Sequence, residues 1–174
     1  FMPVFVISLL SQFVYQPVIS KMALLWHEKK ISQFNKLILR QIALILLLSV
    51  AAIIGGYLLG IPVLSLIYGV DLTEYKKSLV ILLIGGGALA IVNFLQMIIT
   101  VARKQKLLNI GYLLAFLLFV FGGKTITEKY GMIGISVFYT AVVMILGAVF
   151  IVLTIGIIKG YANSDGKKVA EKKQ

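Results

Sequence analysis

Charged residues are missing from two long stretches of this chain. None occurs between Arg40 and Asp71, and none between Lys77 and Arg103. Both stretches are dense in Leu, Ile and Val. An α-helix rises ~1.5 Å per residue and the hydrocarbon core of a bilayer is ~30 Å thick, so ~20 apolar residues cross it. Each stretch exceeds that length, and the segment between them, 60–75 (GIPVLSLIYGVDLTEY), is predicted to join two membrane helices. Gly60 and Pro62 are expected to break or kink the first helix near its exit, because proline lacks the N–H that the helical ladder needs. The run 63–68 is too short to cross by itself and is expected to pack at the interface. Tyr68 suits the headgroup zone, Gly69 lets the chain reverse, and Asp71 and Glu74 then reach water.

The same pattern extends to five spans, near 1–25, 37–60, 79–102, 107–123 and 132–158. The expected fold is an all-α, polytopic helical membrane protein, with a basic tail, 161–174, that is too polar to pack and is expected to be disordered. In the first span, Pro17 should act as a kink, and Ser8, Ser11, Gln12 and Tyr15 fall on one helical face. That face suits either a packing seam or the wall of a hydrated cavity. In the second span, Ser49, Ala52, Gly56 and Gly60 make a small-residue stripe that lets a neighbouring helix approach closely. The third span carries Gly85-Gly86-Gly87 and two deep amides, Asn93 and Gln96, with Thr100 on the same side. The triple glycine is no phosphate loop, since no Lys-Ser/Thr follows it and no strand precedes it. Asn93 and Gln96 are costly in hydrocarbon unless partnered, so each should face protein or cavity water.

Composition agrees with this pattern. Of 174 residues, 60% are hydrophobic, and the mean hydropathy is +1.04. A soluble domain of this length cannot hide so much apolar surface. Cysteine is absent, which excludes disulfides and thiolate metal sites. A net charge of +11 could suit nucleic acid, but the basic residues sit between spans, as a positive-inside bias requires. Nucleic acid is therefore not an expected partner; membrane lipid is. Thirteen of the 17 Lys and Arg residues fall in the first and third connectors and the tail, and four in the other two connectors. This places the tail and the Arg103-Lys104-Gln105-Lys106 turn in the cytoplasm and the 60–75 turn outside. Phe1 already lies in an apolar run with no charged stretch before it, so the start is not a signal peptide, and the chain reads as the carboxy-terminal fragment of something longer.

Chemistry-bearing groups are sparse. No span holds Asp, Glu or His near its middle, and intramembrane acids are the usual carriers of proton or sodium relays. His27 stands alone, Asp71 and Glu74 belong to a solvated turn, and no paired-carboxylate, Ser-His or metal-ligand constellation occurs within the spans. No enzyme activity and no cofactor is expected. The candidate pathway residues are Gln12, Tyr15, Asn93 and Gln96, with Arg40 and Arg103 near the cytoplasmic surface. The hinge or turn candidates are Pro17, Gly60, Pro62 and Gly69.

The order of punctuation along the chain carries a resemblance. Pro17-x-x-Ser20 is followed by Phe34-Asn35-Lys36, then by the Gly60-Ile61-Pro62 to Tyr68-Gly69 stretch and Tyr75-x-x-Ser78-Leu79. The basic Arg103–Lys106 turn comes next, and then Tyr130-Gly131-Met132-Ile133-Gly134. This order resembles the carboxy-terminal half of bacterial polysaccharide-biosynthesis flippases, within the multidrug/oligosaccharidyl-lipid/polysaccharide exporter superfamily. The resemblance implies the last five spans of a two-half bundle in the bacterial cytoplasmic membrane, whose amino-terminal half is a missing partner. It implies translocation of polyprenyl-linked oligosaccharide units for O-antigen, capsule or exopolysaccharide. Arg40 and Arg103 would then either meet an anionic headgroup or only set topology. Two other readings stay open: a multidrug and toxin cation antiporter of the same superfamily, and a non-transporting membrane subunit of a glycan-synthesis complex.

Overall fold

The computed structural model describes residues 7, 9, 10, 12, 13, 16–69 and 73–171. Among them there is no strand, and the chain is helical almost throughout. A 3-10 turn, Gln16–Val18, leads into a short helix α1 (Ile19–His27), followed by α2 (Ile31–Tyr68), a second 3-10 turn at Thr73–Tyr75, α3 (Lys76–Val101) and α4 (Lys106–Glu171). Pro17 lies in the first 3-10 turn, where its missing N–H costs no α-helical bond. Among the described residues, three helices are long and apolar enough to cross a membrane, over Ile31–Val63, Thr73–Val101 and Lys106–Gly160.

The helix α2 runs on past Gly60 and Pro62, where the sequence pattern places its end, and incorporates the 63–68 run. Proline removes one N–H, the one that would reach the carbonyl four residues back, and the rest of the ladder is untouched. No further breaker follows until Gly69. The stop is Gly69 itself, with φ 66° and ψ 20°, in the left-handed region that glycine adopts without a Cβ penalty. Its N–H donates to the Ser65 carbonyl at 2.9 Å and closes the last turn.

At ~1.5 Å per residue, the apolar part of α4 would reach more than twice the thickness of a bilayer core if it were straight. It is folded instead. Gly131 (φ 57°, ψ −142°) interrupts the helical backbone and divides α4 into a first arm, 106–130, and a second arm, 132–171. Gly111 lies against Phe150, and a Cβ on Gly122 would meet Phe138 at 2.6 Å, so the arms pack side by side in opposite directions. Phe119 and Phe138 add an edge-to-face ring pair at 5.4 Å. The first arm continues seven residues beyond the expected span end at 123, and the second continues into the 161–171 tail. Thr127 donates to the Gly123 carbonyl at 2.7 Å along that extension.

The helix α3 is the centre of the bundle. In its most apolar window 61% of residues are buried, against 11% for α2 and 33% for α4, so α2 and α4 are outer elements packed onto it. The triple glycine makes this possible. Gly85 and Gly87 are ~200° apart around the helix axis. A Cβ on Gly85 would meet Thr140 Oγ1 of the second arm at 2.8 Å, and one on Gly87 would meet Ser49 of α2 at 2.9 Å. Gly56 and Gly60 of the small-residue stripe lie over Leu83 and Leu79, which orients α2 antiparallel to α3. A Cβ on Gly147 would meet Val92 at 3.4 Å, and Thr140 Oγ1 donates across to the Ile81 carbonyl at 3.1 Å. These pairings, 81–140 and 92–147, run the second arm parallel to α3. The Gly69 and Gly131 reversals therefore lie at one end of the bundle, and the connectors at 28–30 and 102–105 at the other. Between them sits one main apolar cluster, with Phe34, Ile45, Phe94, Ile99 and Phe150 fully buried.

Candidate functional site

The amides of α3 open onto a cleft. Asn93, Gln96 and Thr100 follow one another at helical spacing and so share a face of α3. Gln12, on the residues preceding the first 3-10 turn, faces them across a space of about 390 Å³, with Ile19 and Met97 as apolar wall. Three of the six residues singled out as pathway candidates thus come together, although Gln12 and Asn93 are far apart in sequence. Tyr15, Ser8 and Ser11 lie outside the described residues.

Gln96 is held from outside the cleft. Its Oε1 accepts a hydrogen bond from the Tyr112 hydroxyl at 2.6 Å, which joins α3 to the first arm of α4. With Oε1 taken up, the amide keeps its NH2 donors for other partners. Thr100 Oγ1 donates to the Gln96 carbonyl at 2.9 Å, so its oxygen remains able to accept. Tyr112 in turn stacks edge-on against the buried Phe150 at 5.5 Å, which fixes the ring that positions Gln96. The cleft therefore offers uncharged donors and acceptors, with no carboxylate, imidazole or cation among its described lining residues. Such groups can exchange hydrogen bonds with hydroxyls and amides of a guest, and cannot by themselves move a proton or neutralise a charge. Among the described residues, no group of three or more His, Asp or Glu could hold a metal ion.

The cationic candidates lie elsewhere. Arg103 is in the connector that follows α3, on the rim of a separate groove of about 1120 Å³. Lys104, Lys106 and Trp26 share that rim, while Leu107, Leu153 and Ile157 supply much of its apolar wall. Because Thr100 and Val101 line the cleft and Ala102 and Arg103 line the groove, the two openings adjoin at the end of α3. Arg40 is exposed on α2 and lines neither.

The two basic connectors share one backbone design. After α1, the Lys30 N–H donates to Leu25 and the Lys29 N–H to Trp26. After α3, the Lys104 N–H donates to Ile99 and the Arg103 N–H to Thr100. This paired closure of the last carbonyls needs a left-handed residue, and here Lys29 (φ 60°) and Arg103 (φ 57°) fill the place usually given to glycine. Arg103 is thereby turned out of the helix line, at the mouth of the groove.

Two structural features escape sequence reasoning. Tyr112 reads in sequence as an ordinary aromatic in an apolar span, and nothing there signals that its hydroxyl meets Gln96. Next to Arg40, it is Gln41 that is buried, and its Oε1, like the Thr154 hydroxyl, has no hydrogen-bond partner among the described residues. Its i, i+4 and i, i+8 relation to Ile45 and Ser49 on the buried face of α2 is the available signal.

No family model matches the chain, and neither a curated protein nor a solved structure matches it significantly.

Proposed function

We propose that the chain is a membrane-embedded part of a transporter that carries lipid-linked oligosaccharide units across the cytoplasmic membrane. In this reading it forms the carboxy-terminal five spans of a larger bundle, with α2, α3 and the two arms of α4 crossing in alternate directions. The connectors at 28–30 and 102–105 and the end of α4 then face the cytoplasm, in keeping with the excess of Lys and Arg there. The order of Gly, Pro and aromatic motifs supports the family assignment.

The observation that carries the reading is the convergence of Gln12, Asn93, Gln96 and Thr100 on one cleft between otherwise apolar helices. Amides and hydroxyls both donate and accept, as sugar hydroxyls do, so they can replace water around a glycan without binding it too tightly to release. The absence of an acid from the described lining weakly disfavours a cation antiporter, whose acids can also stand in the other half of the bundle.

The test is deletion of the intact source gene followed by lipid extraction. The expected result is polyprenyl-pyrophosphate oligosaccharide trapped on the cytoplasmic leaflet, with loss of surface polysaccharide. Normal glycolipids together with new sensitivity to cationic dyes would overturn the proposal in favour of drug export. Normal lipid flipping with a failure of glycan synthesis itself would favour the subunit reading.

A further inference from the structure

The groove at the end of α3 does not belong to the polar cleft, and its chemistry differs. Three cations, Arg103, Lys104 and Lys106, are among its lining residues. The remainder of the wall is mostly apolar, with Leu107 at the start of the first arm and Leu153 and Ile157 near the end of the second. Among the described residues no acid lines the groove, and the Glu28 carboxylate, close in sequence to Trp26, is engaged by Lys30 at 2.8 Å. A groove with a cationic rim and an aliphatic wall is complementary to a molecule with an anionic head and hydrocarbon tails. Basic pockets between membrane helices take up anionic headgroups for this reason. The volume of about 1120 Å³ exceeds what a bare phosphate needs and suits a headgroup with the upper part of its acyl chains.

The geometry points to a binding site for an anionic phospholipid in this groove, its phosphate on Arg103, Lys104 and Lys106 and its chains along Leu107, Leu153 and Ile157. The inference rests on the membrane placement proposed above and is independent of the glycan. The backbone favours it: the left-handed conformation at Arg103 turns the chain between the two helices, so that three closely spaced basic positions bracket one opening.

Trp26 lines the groove and is the only tryptophan of the chain, which makes it a built-in reporter. The full chain is reconstituted in phosphatidylcholine vesicles, and Trp26 emission is followed as brominated phosphatidylglycerol or brominated phosphatidylcholine replaces the unlabelled lipid. Half-maximal quenching is expected at a roughly tenfold lower fraction of the anionic lipid, since each cation near the surface favours it severalfold. The difference should disappear when Arg103→Ala, Lys104→Ala and Lys106→Ala are combined. It should also shrink for the unaltered chain in ~1 M salt, a readout that needs no variant to fold. Coincident quenching curves for the unaltered chain would overturn the site, as would a preference that survives removal of the three cations. Loss of the preference on adding millimolar inorganic phosphate would also overturn it, in favour of a bare phosphate site. A chain that fails to float with the vesicles would instead refute the membrane placement itself.

Discussion

Replacing Gly85 by alanine tests the central packing directly. The added methyl would lie 2.8 Å from Thr140 Oγ1 and 3.1 Å from Tyr139 Cε1, both closer than carbon contacts normally come. Thr140 has little freedom to yield, because its hydroxyl is shared between the Ile81 carbonyl at 3.1 Å and the Ser136 carbonyl at 3.0 Å. The second arm must therefore move away from α3. Overpacking of this kind costs ~1–3 kcal/mol. Loss of the bond to Ile81 adds ~0.6 kcal/mol, the average measured for side-chain bonds between membrane helices. Alanine returns ~1 kcal/mol through its better helix propensity. The net expectation is a loss of ~0.6–2.6 kcal/mol. Gly55 is the control, since a Cβ there would meet nothing within 4 Å, and its replacement by alanine should be neutral or stabilising by up to ~1 kcal/mol. The assay is unfolding of the full chain in mixed micelles by increasing SDS, followed by circular dichroism. Repeating Gly85→Ala in a Thr140→Ala background removes the clashing oxygen, and the penalty should fall by ~1 kcal/mol, a coupling typical of residues in contact. A Gly85→Ala variant as stable as Gly55→Ala would refute the packing of α3 against the second arm.

Three further outcomes can be checked in the same assay. Gly131→Ala places a Cβ at φ 57°, ψ −142°, a region almost reserved for glycine, and should cost ~1–3 kcal/mol although no neighbouring atom lies within 4 Å. Lys29→Gly relieves a left-handed lysine and should stabilise the chain by about 1 kcal/mol; a loss of stability would show that the lysine side chain matters more than its backbone. Tyr112→Phe removes the bond to Gln96 Oε1 and should cost ~0.5–1.5 kcal/mol, with no penalty for the same change in a Gln96→Leu background.

Much of this architecture is legible in the sequence because long charge-free runs and isolated glycines carry strong local signals. Gly69 stops α2 through its own backbone freedom, which needs no knowledge of the rest of the fold. Pro62 misleads for the complementary reason. Its local effect is the loss of one hydrogen bond, and the ladder on either side continues, so that α2 extends to Tyr68. The triple glycine is visible as a tight-packing signal, but which helices press on Gly85 and Gly87 depends on tertiary pairing. The same limit applies to the site. The i, i+3 and i, i+7 spacing is enough by itself to put Asn93, Gln96 and Thr100 on one face of a helix. The arrival of Gln12 from a separate element, the Tyr112 bond, and the placement of Arg103 and Arg40 on different surfaces all depend on contacts between residues distant in sequence.

The most direct test of the polar cleft as a glycan pathway uses the absence of cysteine from the chain. Asn93→Cys is introduced into the intact protein in cells, with any cysteine outside these 174 residues replaced by serine, and a membrane-impermeant maleimide is applied while glycolipid flipping is measured. The expected result is labelling of the cleft cysteine and a loss of flipping that follows the extent of labelling. Leu113→Cys, on the exposed apolar face of the first arm, should stay unlabelled. An unreactive cysteine at position 93, or a fully labelled one with unchanged flipping, would contradict the pathway and leave the amides as a helix-packing seam.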